Sequence, residues 1–293
     1  MSKNFKVGID YGGTKIEGIL MDNEGNEILR KRSTYEKNYK SGIQTVSSLV
    51  EEFDKHTGTI NTVGVGIPGS SSKETGLIKN ANSIWLNDKP FKQDLENSLG
   101  RDIRLMNDAN CFALSESIDG SGRGYDSVWG VIIGSGFGGS FVYKNQVIEG
   151  VNQVAGDWGH QPLPYPNEEE QELGLKCEVG NCHRPLCAEQ FISGVGFTKL
   201  FNLKYGTNFR TREIVALEAN GDERAKKEFD LYEDRFARLI AIMIGIVDPD
   251  VIILGGGMSN IGRIYKNIPK ILPKYTFSDK VRNKILRNTH GDS

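Results

Sequence analysis

The sequence predicts an α/β fold in which one structural unit is used twice. Apolar runs typical of buried strands end in glycine-rich turns, and the order strand, glycine turn, strand, polar turn, strand occurs near the N-terminus and again over residues 128–148. A wide apolar stripe at helical spacing covers residues 223–247. Mixed strands and helices favour layered α/β architecture. The two openings share few identical residues, so two unrelated hairpins remain the alternative.

The first part of the chain alternates strands with helices. Apolar positions from Ile43 to Phe53 mark one face of a helix, and a second helix begins near Asn107. Strands are predicted at 5–10, 16–21, 27–33, 62–67 and 102–106.

A linker is predicted at residues 119–126 (DGSGRGYD) because of its glycine and polar content. It divides the chain into a smaller α/β domain, 1–118, and a larger one, 119–293. In the second domain, the helix over 223–247 ends at Asp248-Pro249. A buried strand at 251–254 then leads into three consecutive glycines.

Composition and charge exclude several classes of protein. The 293 residues carry 36 Lys plus Arg and 38 Asp plus Glu, a net charge of −2, so nucleic acid is not expected as a partner. No leader and no apolar run of the roughly 20 residues needed to span a membrane are visible, which predicts a cytoplasmic protein. The 35 glycines, about 12% against an average near 7%, indicate tight turns or close approach of the backbone to a ligand.

Three of the four cysteines, Cys177, Cys182 and Cys187, lie within eleven residues. In a reducing compartment such clustering favours a metal site over disulfides. Cys111 stands alone and is expected to be a small buried apolar residue.

Three glycine-rich turns, at 12–15, 134–139 and 255–257, each follow an apolar strand. Glycine lets backbone N–H groups converge on an anion, so the turns together favour nucleotide phosphate, although any one could be an ordinary hairpin turn. GVGIPG (64–69) and GSGFGG (134–139) match the dinucleotide fingerprint, but neither is followed by the helix that it requires. A P-loop pattern does not occur.

Two acids stand at the ends of predicted strands. Asp108, where a strand meets a helix, could accept a hydroxyl proton as that oxygen attacks a γ-phosphoryl group, or could simply cap the helix. Asp10 could hold Mg²⁺ directly or through water, or could cap a turn.

The sequence resembles the ROK family (repressor, open reading frame, kinase), whose members have the duplicated actin/hexokinase-like, ribonuclease H-like ATPase fold. The KNANSIWLN segment (79–87) and its spacing to NDANC resemble the bacterial fructokinase branch, or manno/fructokinase branch. The matching segments run through the chain in family order: DYGGTK (10–15), GVGIPG (64–69), NDANC (107–111), GSGFGG (134–139), GDWGH (156–160), CAEQFISG (187–194), DPDVIILGGGMSN (248–260) and HGD (290–292).

The resemblance implies a homodimeric, ATP- and Mg²⁺-dependent hexose 6-phosphotransferase with two domains that close over a cleft. Fructose is the first expected substrate, with N-acetylglucosamine, mannose and glucose as alternatives. A sugar-sensing repressor of the family would need a helix-turn-helix module, whereas the first core strand here begins at Phe5. A catalytically silent sugar-binding protein is disfavoured by the presence of Asp10 and Asp108.

The resemblance also assigns roles to residues. Asp108 would be the general base and Asp10 the acid beside Mg²⁺. The phosphates would be held by Gly12, Gly13, Thr14 and Lys15 and by Gly134, Ser135 and Gly136, while Gly255, Gly256 and Gly257 would line the adenosine pocket. The sugar would be contacted by Asn82, Asn107, Asp108, Asp157, His160 and Glu189.

The chain departs from the family pattern in three places. Asp157 stands where the family commonly has Glu, so a sugar contact would be lost or would pass through water. The family's zinc loop usually reads C-x-C-G-x-x-G-C-x-E, and Gly180 stands where its first Cys is expected. The sequence ends at residues 290–293, where relatives continue into a closing helix that returns to the first domain.

Cys177 lies three residues upstream of Gly180 and could replace the missing zinc ligand. Cys177, Cys182 and Cys187 with His160 would then form a Cys₃His site in a cysteine-rich loop over 160–189, with His183 as a spare nitrogen. Such a structural zinc ion would fix the loop that carries Glu189 and orient His160. The alternative is a loop of free cysteines.

Overall fold

The computed structural model describes residues 5–173, 177 and 182–291. The chain forms two compact units, one up to Cys111 and one from Phe112 onward. The sequence-based boundary at 118/119 lies seven residues later, at the end of the helix that spans Asp108–Ile118. Gly180 and the last two residues, which entered the sequence analysis, lie outside the described residues.

The first unit is built on a mixed five-stranded sheet. The described residues of this unit form seven strands, five in this sheet and two in a separate pair: β1 (Lys6–Tyr11), β2 (Lys15–Met21), β3 (Glu27–Thr34), β4 (Thr62–Ile67), β5 (Ser70–Ser71), β6 (Ile78–Lys79) and β7 (Ile103–Asn107). The sheet order is β3-β2-β1-β4-β7, and β5 pairs with β6 separately. The first three strands are antiparallel neighbours, whereas β1, β4 and β7 run parallel.

Three helices belong to the first part of the chain: α1 (Tyr39–Thr57), α2 (Phe91–Leu99) and α3 (Asp108–Ile118). The Asn38 side chain caps α1 by accepting a hydrogen bond from the Ser41 N–H, and Gly58 ends the helix in the left-handed conformation. The apolar stripe of α1, including Val46 and Phe53, is buried against the sheet core, as its spacing predicts.

The second unit repeats the same sheet. Its strands are β8 (Ser127–Ile133), β9 (Phe137–Tyr143), β10 (Gln146–Val147), β11 (Val251–Gly255) and β12 (Lys284–Arg287). In the order β10-β9-β8-β11-β12, strands β10, β9 and β8 are again antiparallel neighbours, and β11 and β12 run parallel to β8. The duplication that the sequence predicts is therefore confirmed, because both sheets connect their strands in the same way.

Helices make up much of the second unit. They are α4 (Glu168–Glu172), α5 (Glu189–Ile192), α6 (Gly194–Tyr205), α7 (Thr211–Ala219), α8 (Glu223–Val247) and α9 (Gly262–Ile271). The long α8 buries its apolar stripe, including Phe229, Tyr232 and Phe236, and ends at Asp248 in the left-handed conformation, just before Pro249. Within the described ranges, no helix is both long and apolar enough to cross a membrane.

Candidate active site

The two candidate acids lie at one edge of the first sheet. Strands β1, β4 and β7 are parallel, and their register aligns Asp10 with Gly66 and Gly66 with Met106. Neighbouring strands lie about 4.8 Å apart, so the Cα atoms of Asp10 and Met106 are separated by about 10 Å. Asp108 follows Met106 by two residues, at the same carboxyl edge as Asp10.

Cys111 is within electrostatic range of both acids. Burial, followed by the negative charges of Asp108 and Asp10, raises the pKa of the Cys111 thiol to about 12. Its sulfur lies 3.3 Å from where a Cβ on Gly66 would be, so the thiol packs against β4. A thiol with this pKa stays protonated at neutral pH and is inert, which fits the apolar role expected for Cys111, but the residue is half-buried rather than buried as expected.

Asp10 is a carboxylate in an unfavourable electrostatic setting. Desolvation raises its pKa, repulsion from Glu17 adds to this, and Arg32 opposes it. A cation beside Asp10 would offset both destabilising effects, which suits the proximity of a divalent ion.

Asp108 is not the cap of α3. The Asn107 side chain accepts a hydrogen bond from the Asn110 N–H at 3.3 Å, which is the N-cap contact, and its Nδ2 donates to the Gly69 carbonyl at 3.0 Å. Asp108 occupies the first turn, with Oδ1 2.7 Å from the Ala109 nitrogen, and its side chain is exposed. The carboxylate is therefore accessible to a ligand.

The loop that carries Asn82 is fixed on both sides. Asn87 clamps Ala81, because its Oδ1 accepts from the Ala81 N–H at 2.9 Å and its Nδ2 donates to the Ala81 carbonyl at 3.0 Å. Gly69 has φ of +81°, and a Cβ there would lie 2.7 Å from the Ala81 nitrogen. Since Asn107 holds the Gly69 carbonyl, the two predicted sugar-contacting asparagines belong to one connected set of contacts.

The backbone of the first glycine hairpin is accessible to solvent. Gly13, Thr14 and Lys15 are exposed, and Lys15 begins β2. The Gly12 carbonyl accepts a hydrogen bond from the Tyr35 hydroxyl at 2.9 Å. The hairpin can therefore present N–H groups to an anion next to Asp10.

In the second unit, two of the predicted glycine turns meet at one cavity of about 540 Å³. This volume falls in the range of small-molecule sites, roughly 300–1,000 Å³. Its walls come from the turns after β8 and β11 and from α6 and α7: Gly134, Ser135, Gly194, Val195, Thr211, Arg212, Val215, Gly257, Met258, Asn260 and Ile261.

The remaining predicted glycines serve close packing. A Cβ on Gly255 would lie 2.7 Å from the Phe112 ring, and one on Gly256, where φ is +76°, would lie 2.5 Å from the Ile133 carbonyl. The Gly134 N–H donates a hydrogen bond to the Gly136 carbonyl at 3.0 Å, which closes the turn. These residues support the cavity, whereas Gly257 lines it.

Glu189 is a buried carboxylate with unused hydrogen-bonding capacity. Its side chain, at the start of α5, accepts through Oε2 from the Phe137 N–H at 3.2 Å, while Oε1 is buried and has no hydrogen-bond partner among the described residues. Burial raises the pKa of this carboxyl group. A buried acceptor left unpaired is costly, so a ligand hydroxyl would be a favourable partner.

His160, Cys177, Cys182 and Cys187 form a cluster whose ligand atoms all lie within 4.8 Å of one another. The His160 Nδ1 lies 3.9 Å from the Cys177 Sγ and 3.7 Å from the Cys187 Sγ, and the Cys182 and Cys187 sulfurs are 3.9 Å apart. Sulfurs bound to one tetrahedral zinc at 2.3 Å would be about 3.8 Å apart, so these residues fit a Cys₃His site.

Two further predicted residues flank this cluster. Asp157 is exposed and directly precedes a short 3₁₀ turn, Trp158–His160, whose last residue is the cluster histidine. His183 is exposed and, among the described residues, stands outside the metal-type cluster.

Part of the cavity wall comes from residues that were not predicted from the sequence. Val195, Thr211 and Arg212 come from the starts of α6 and α7, where no motif marks them. Met258 and Asn260 do fall inside the DPDVIILGGGMSN segment, so that segment carried a usable signal.

Comparison with known proteins finds relatives along nearly the whole chain. N-acetyl-D-glucosamine kinases from Vibrio cholerae and Vibrio parahaemolyticus are 36% and 35% identical to this chain over 292 residues, covering 98% of the chain and 95% of each relative. The ROK hexokinase from Thermus thermophilus superposes with a TM-score of 0.85 at 24% identity, covering 98% of this chain and 93% of that one. The two Vibrio relatives are named as kinases of N-acetylglucosamine, whereas fructose is the first substrate expected from the sequence. The sequence pattern of the ROK family matches residues 6–293, and the chain belongs to that family.

Proposed function

We propose that this protein is an ATP- and Mg²⁺-dependent kinase that phosphorylates the 6-hydroxyl of N-acetylglucosamine. The observation that carries the kinase assignment is the placement of Asp108, which is exposed, is not needed as a helix cap, and shares a sheet edge with Asp10. The names of relatives about 35% identical over 98% of the chain support N-acetylglucosamine over fructose.

The chemistry follows from residues of the first unit. The Asp108 carboxylate accepts the proton of the 6-hydroxyl as its oxygen attacks the γ-phosphorus, the bond to the β,γ-bridging oxygen breaks, and ADP leaves. Asn82 and Asn107 orient the sugar through its hydroxyl groups. Mg²⁺ beside Asp10 supplies charge neutralisation on the phosphates, and the N–H groups of Gly12–Thr14 add to it.

The second unit provides the nucleotide cavity. Val195, Val215 and Ile261 give apolar walls suited to a flat base, while Gly134 and Ser135 bring backbone groups to the same space. This cavity supports the assignment of the second and third glycine turns to ATP.

The Cys₃His cluster would hold a structural zinc ion. Cys187 lies two residues before Glu189, so an ion bound by the four ligands would fix the start of α5. Glu189 Oε1, which has no hydrogen-bond partner among the described residues, would then accept a hydrogen bond from a sugar hydroxyl. His160 and Asp157 are the other sugar contacts proposed in this unit. The ion takes no part in the phosphoryl transfer itself.

A sugar screen tests the proposal. ADP release is measured with Mg²⁺-ATP and N-acetylglucosamine, mannose, glucose or fructose, with a sugar-free reaction as control. We expect kcat/KM for N-acetylglucosamine to exceed that for the other sugars by more than about tenfold, since a site built for an acetamido group leaves polar groups unpaired without it. Highest kcat/KM with fructose would restore the fructokinase assignment. No sugar-dependent ADP release would contradict the kinase assignment.

A further inference from the structure

A cluster of aromatic side chains lies beside the first glycine hairpin. Tyr11, the last residue of β1, is fully buried, and the Trp85 indole N–H donates to its hydroxyl at 3.2 Å. The Tyr11 and Phe91 rings meet edge to face, with centroids 5.4 Å apart. The residue just before the hairpin is therefore held rigidly from several sides.

Tyr35 completes this cluster from the end of β3. Its ring is edge-to-face with both Tyr11 and Trp85, at centroid distances of 5.3 Å and 6.2 Å. Its hydroxyl donates to the Gly12 carbonyl at 2.9 Å, across 23 residues of sequence. Burial raises the pKa of Tyr35, which keeps the hydroxyl protonated and able to donate.

The bond to Gly12 fixes more than one atom. The carbonyl of Gly12 and the N–H of Gly13 belong to one planar trans peptide and point in opposite directions. Holding the carbonyl toward Tyr35 therefore aims the Gly13 N–H away from it. Because glycines on both sides of a peptide allow it to rotate more freely than other residues would, an external anchor is needed to keep this orientation.

Tyr35 also contacts the segment that carries Asn82. Ser83, the next residue, lies near the Tyr35 hydroxyl, and its Oγ lies 3.7 Å from where a Cβ on Gly13 would be. Trp85, against the Tyr35 ring, lies in the 3₁₀ turn that follows Asn82. One side chain thus joins the phosphate hairpin to the sugar segment.

We infer that Tyr35 is a positioning residue for phosphoryl transfer: its hydroxyl sets the Gly12–Gly13 peptide plane and so the direction of an N–H that binds phosphate. The inference rests on the proposed function and adds to it a residue that touches neither substrate.

The test compares Tyr35→Phe with Tyr39→Phe. Both changes keep the ring and remove one hydroxyl from a half-buried tyrosine, and the Tyr39 hydroxyl donates to the Asp94 carboxylate at 2.7 Å rather than to the hairpin. We expect Tyr35→Phe to lower kcat/KM for ATP by about fivefold to tenfold, the usual effect of one hydrogen bond, with the KM for the sugar changed less than about twofold. Tyr39→Phe should stay within about twofold of wild type.

Hydrogen–deuterium exchange of a peptide spanning residues 11–15 provides a second readout. Exchange should be faster in Tyr35→Phe than in wild type and in Tyr39→Phe, because the hairpin peptide is released. If both variants show the same kinetics and the same exchange, Tyr35 is only a packing residue and the inference is wrong. If wild type itself shows no sugar-dependent ADP release while Tyr35→Phe still accelerates exchange, the proposed function fails but the anchoring of the hairpin stands.

Discussion

Replacing Asp108 by Asn removes the carboxylate that the proposed mechanism uses as its base and little else. The Asn107 side chain, not Asp108, caps α3, so the helix keeps its N-terminal hydrogen bond. An amide oxygen at position 108 can also retain the contact to the Ala109 N–H that Oδ1 now makes at 2.7 Å. Asp108→Asn therefore separates chemistry from folding.

The expected magnitudes follow from these contacts. A positioned general base contributes about 10²–10⁴-fold to the rate, so kcat should fall by that factor, equivalent to about 3–5 kcal/mol of barrier. Stability should change by less than about 1 kcal/mol, since loss of a favourable charge at a helix N-terminus costs about 0.3–1 kcal/mol. KM for the sugar should change less than about threefold, because the amide still forms a hydrogen bond.

The assay is coupled ADP release with thermal unfolding measured in parallel. Asp102→Asn is the matched control: it removes the same charge just before β7, about 20 Å from Asp108 at the other end of the strand. Near-normal turnover in Asp108→Asn, or an equal loss of turnover in Asp102→Asn, would refute the assignment of Asp108 as the base.

Three other sites give predictions of different kinds. Burial raises the pKa of Glu189, so ionisation of this carboxyl group costs stability once the pH rises above the ordinary pKa of Glu. Glu189→Gln should therefore melt at an equal or higher temperature than wild type at pH 7, and this advantage should be lost at low pH. The KM for the sugar should rise about tenfold. A lower melting temperature with unchanged KM would contradict this. Metal analysis of protein purified without added metal should find about one zinc ion per chain. Cys182→Ser should reduce this to below about a tenth of an ion per chain, whereas Cys111→Ser should leave it unchanged. Less than about a tenth of an ion per chain in wild type would exclude the site. In urea unfolding, Gly256→Ala should lower the free energy of unfolding by more than about 2 kcal/mol, because φ is +76° and the added Cβ would meet the Ile133 carbonyl. Gly257→Ala should change it by less than about 0.5 kcal/mol, since no atom lies within 4 Å of an added Cβ there. Equal losses in the two variants would contradict this account of Gly256.

Much of the fold was readable from the sequence because buried strands and glycine turns leave local signals. The strands at 5–10, 62–67 and 251–254 are short apolar runs bounded by turns, and all three are central strands of their sheets. The repeated order of strands predicted the duplication although few residues are shared. The sequence also placed Asp10 and Asp108 at the ends of strands, whereas the parallel pairing that brings these ends to one edge came from the structure.

The parts that escaped prediction depend on contacts between distant residues. The sequence could not decide whether Asp108 caps α3, because that depends on the side chain of the preceding Asn107. The Tyr35 contact with Gly12 spans 23 residues, and neither residue belongs to a motif that requires the other. Similarly, Glu170 forms buried ion pairs at 2.7 Å with arginines of α8 more than sixty residues away, and these join α4 to α8.

Identification of the reaction product tests the central claim most directly. Wild-type protein is incubated with Mg²⁺-ATP and N-acetylglucosamine, and the phosphorylated sugar is examined by phosphorus and proton NMR. The proposed function predicts a phosphate monoester on O6, formed in equal amount with ADP and greatly slowed in Asp108→Asn. A phosphate on another oxygen, or ADP formed without any sugar phosphate, would contradict it.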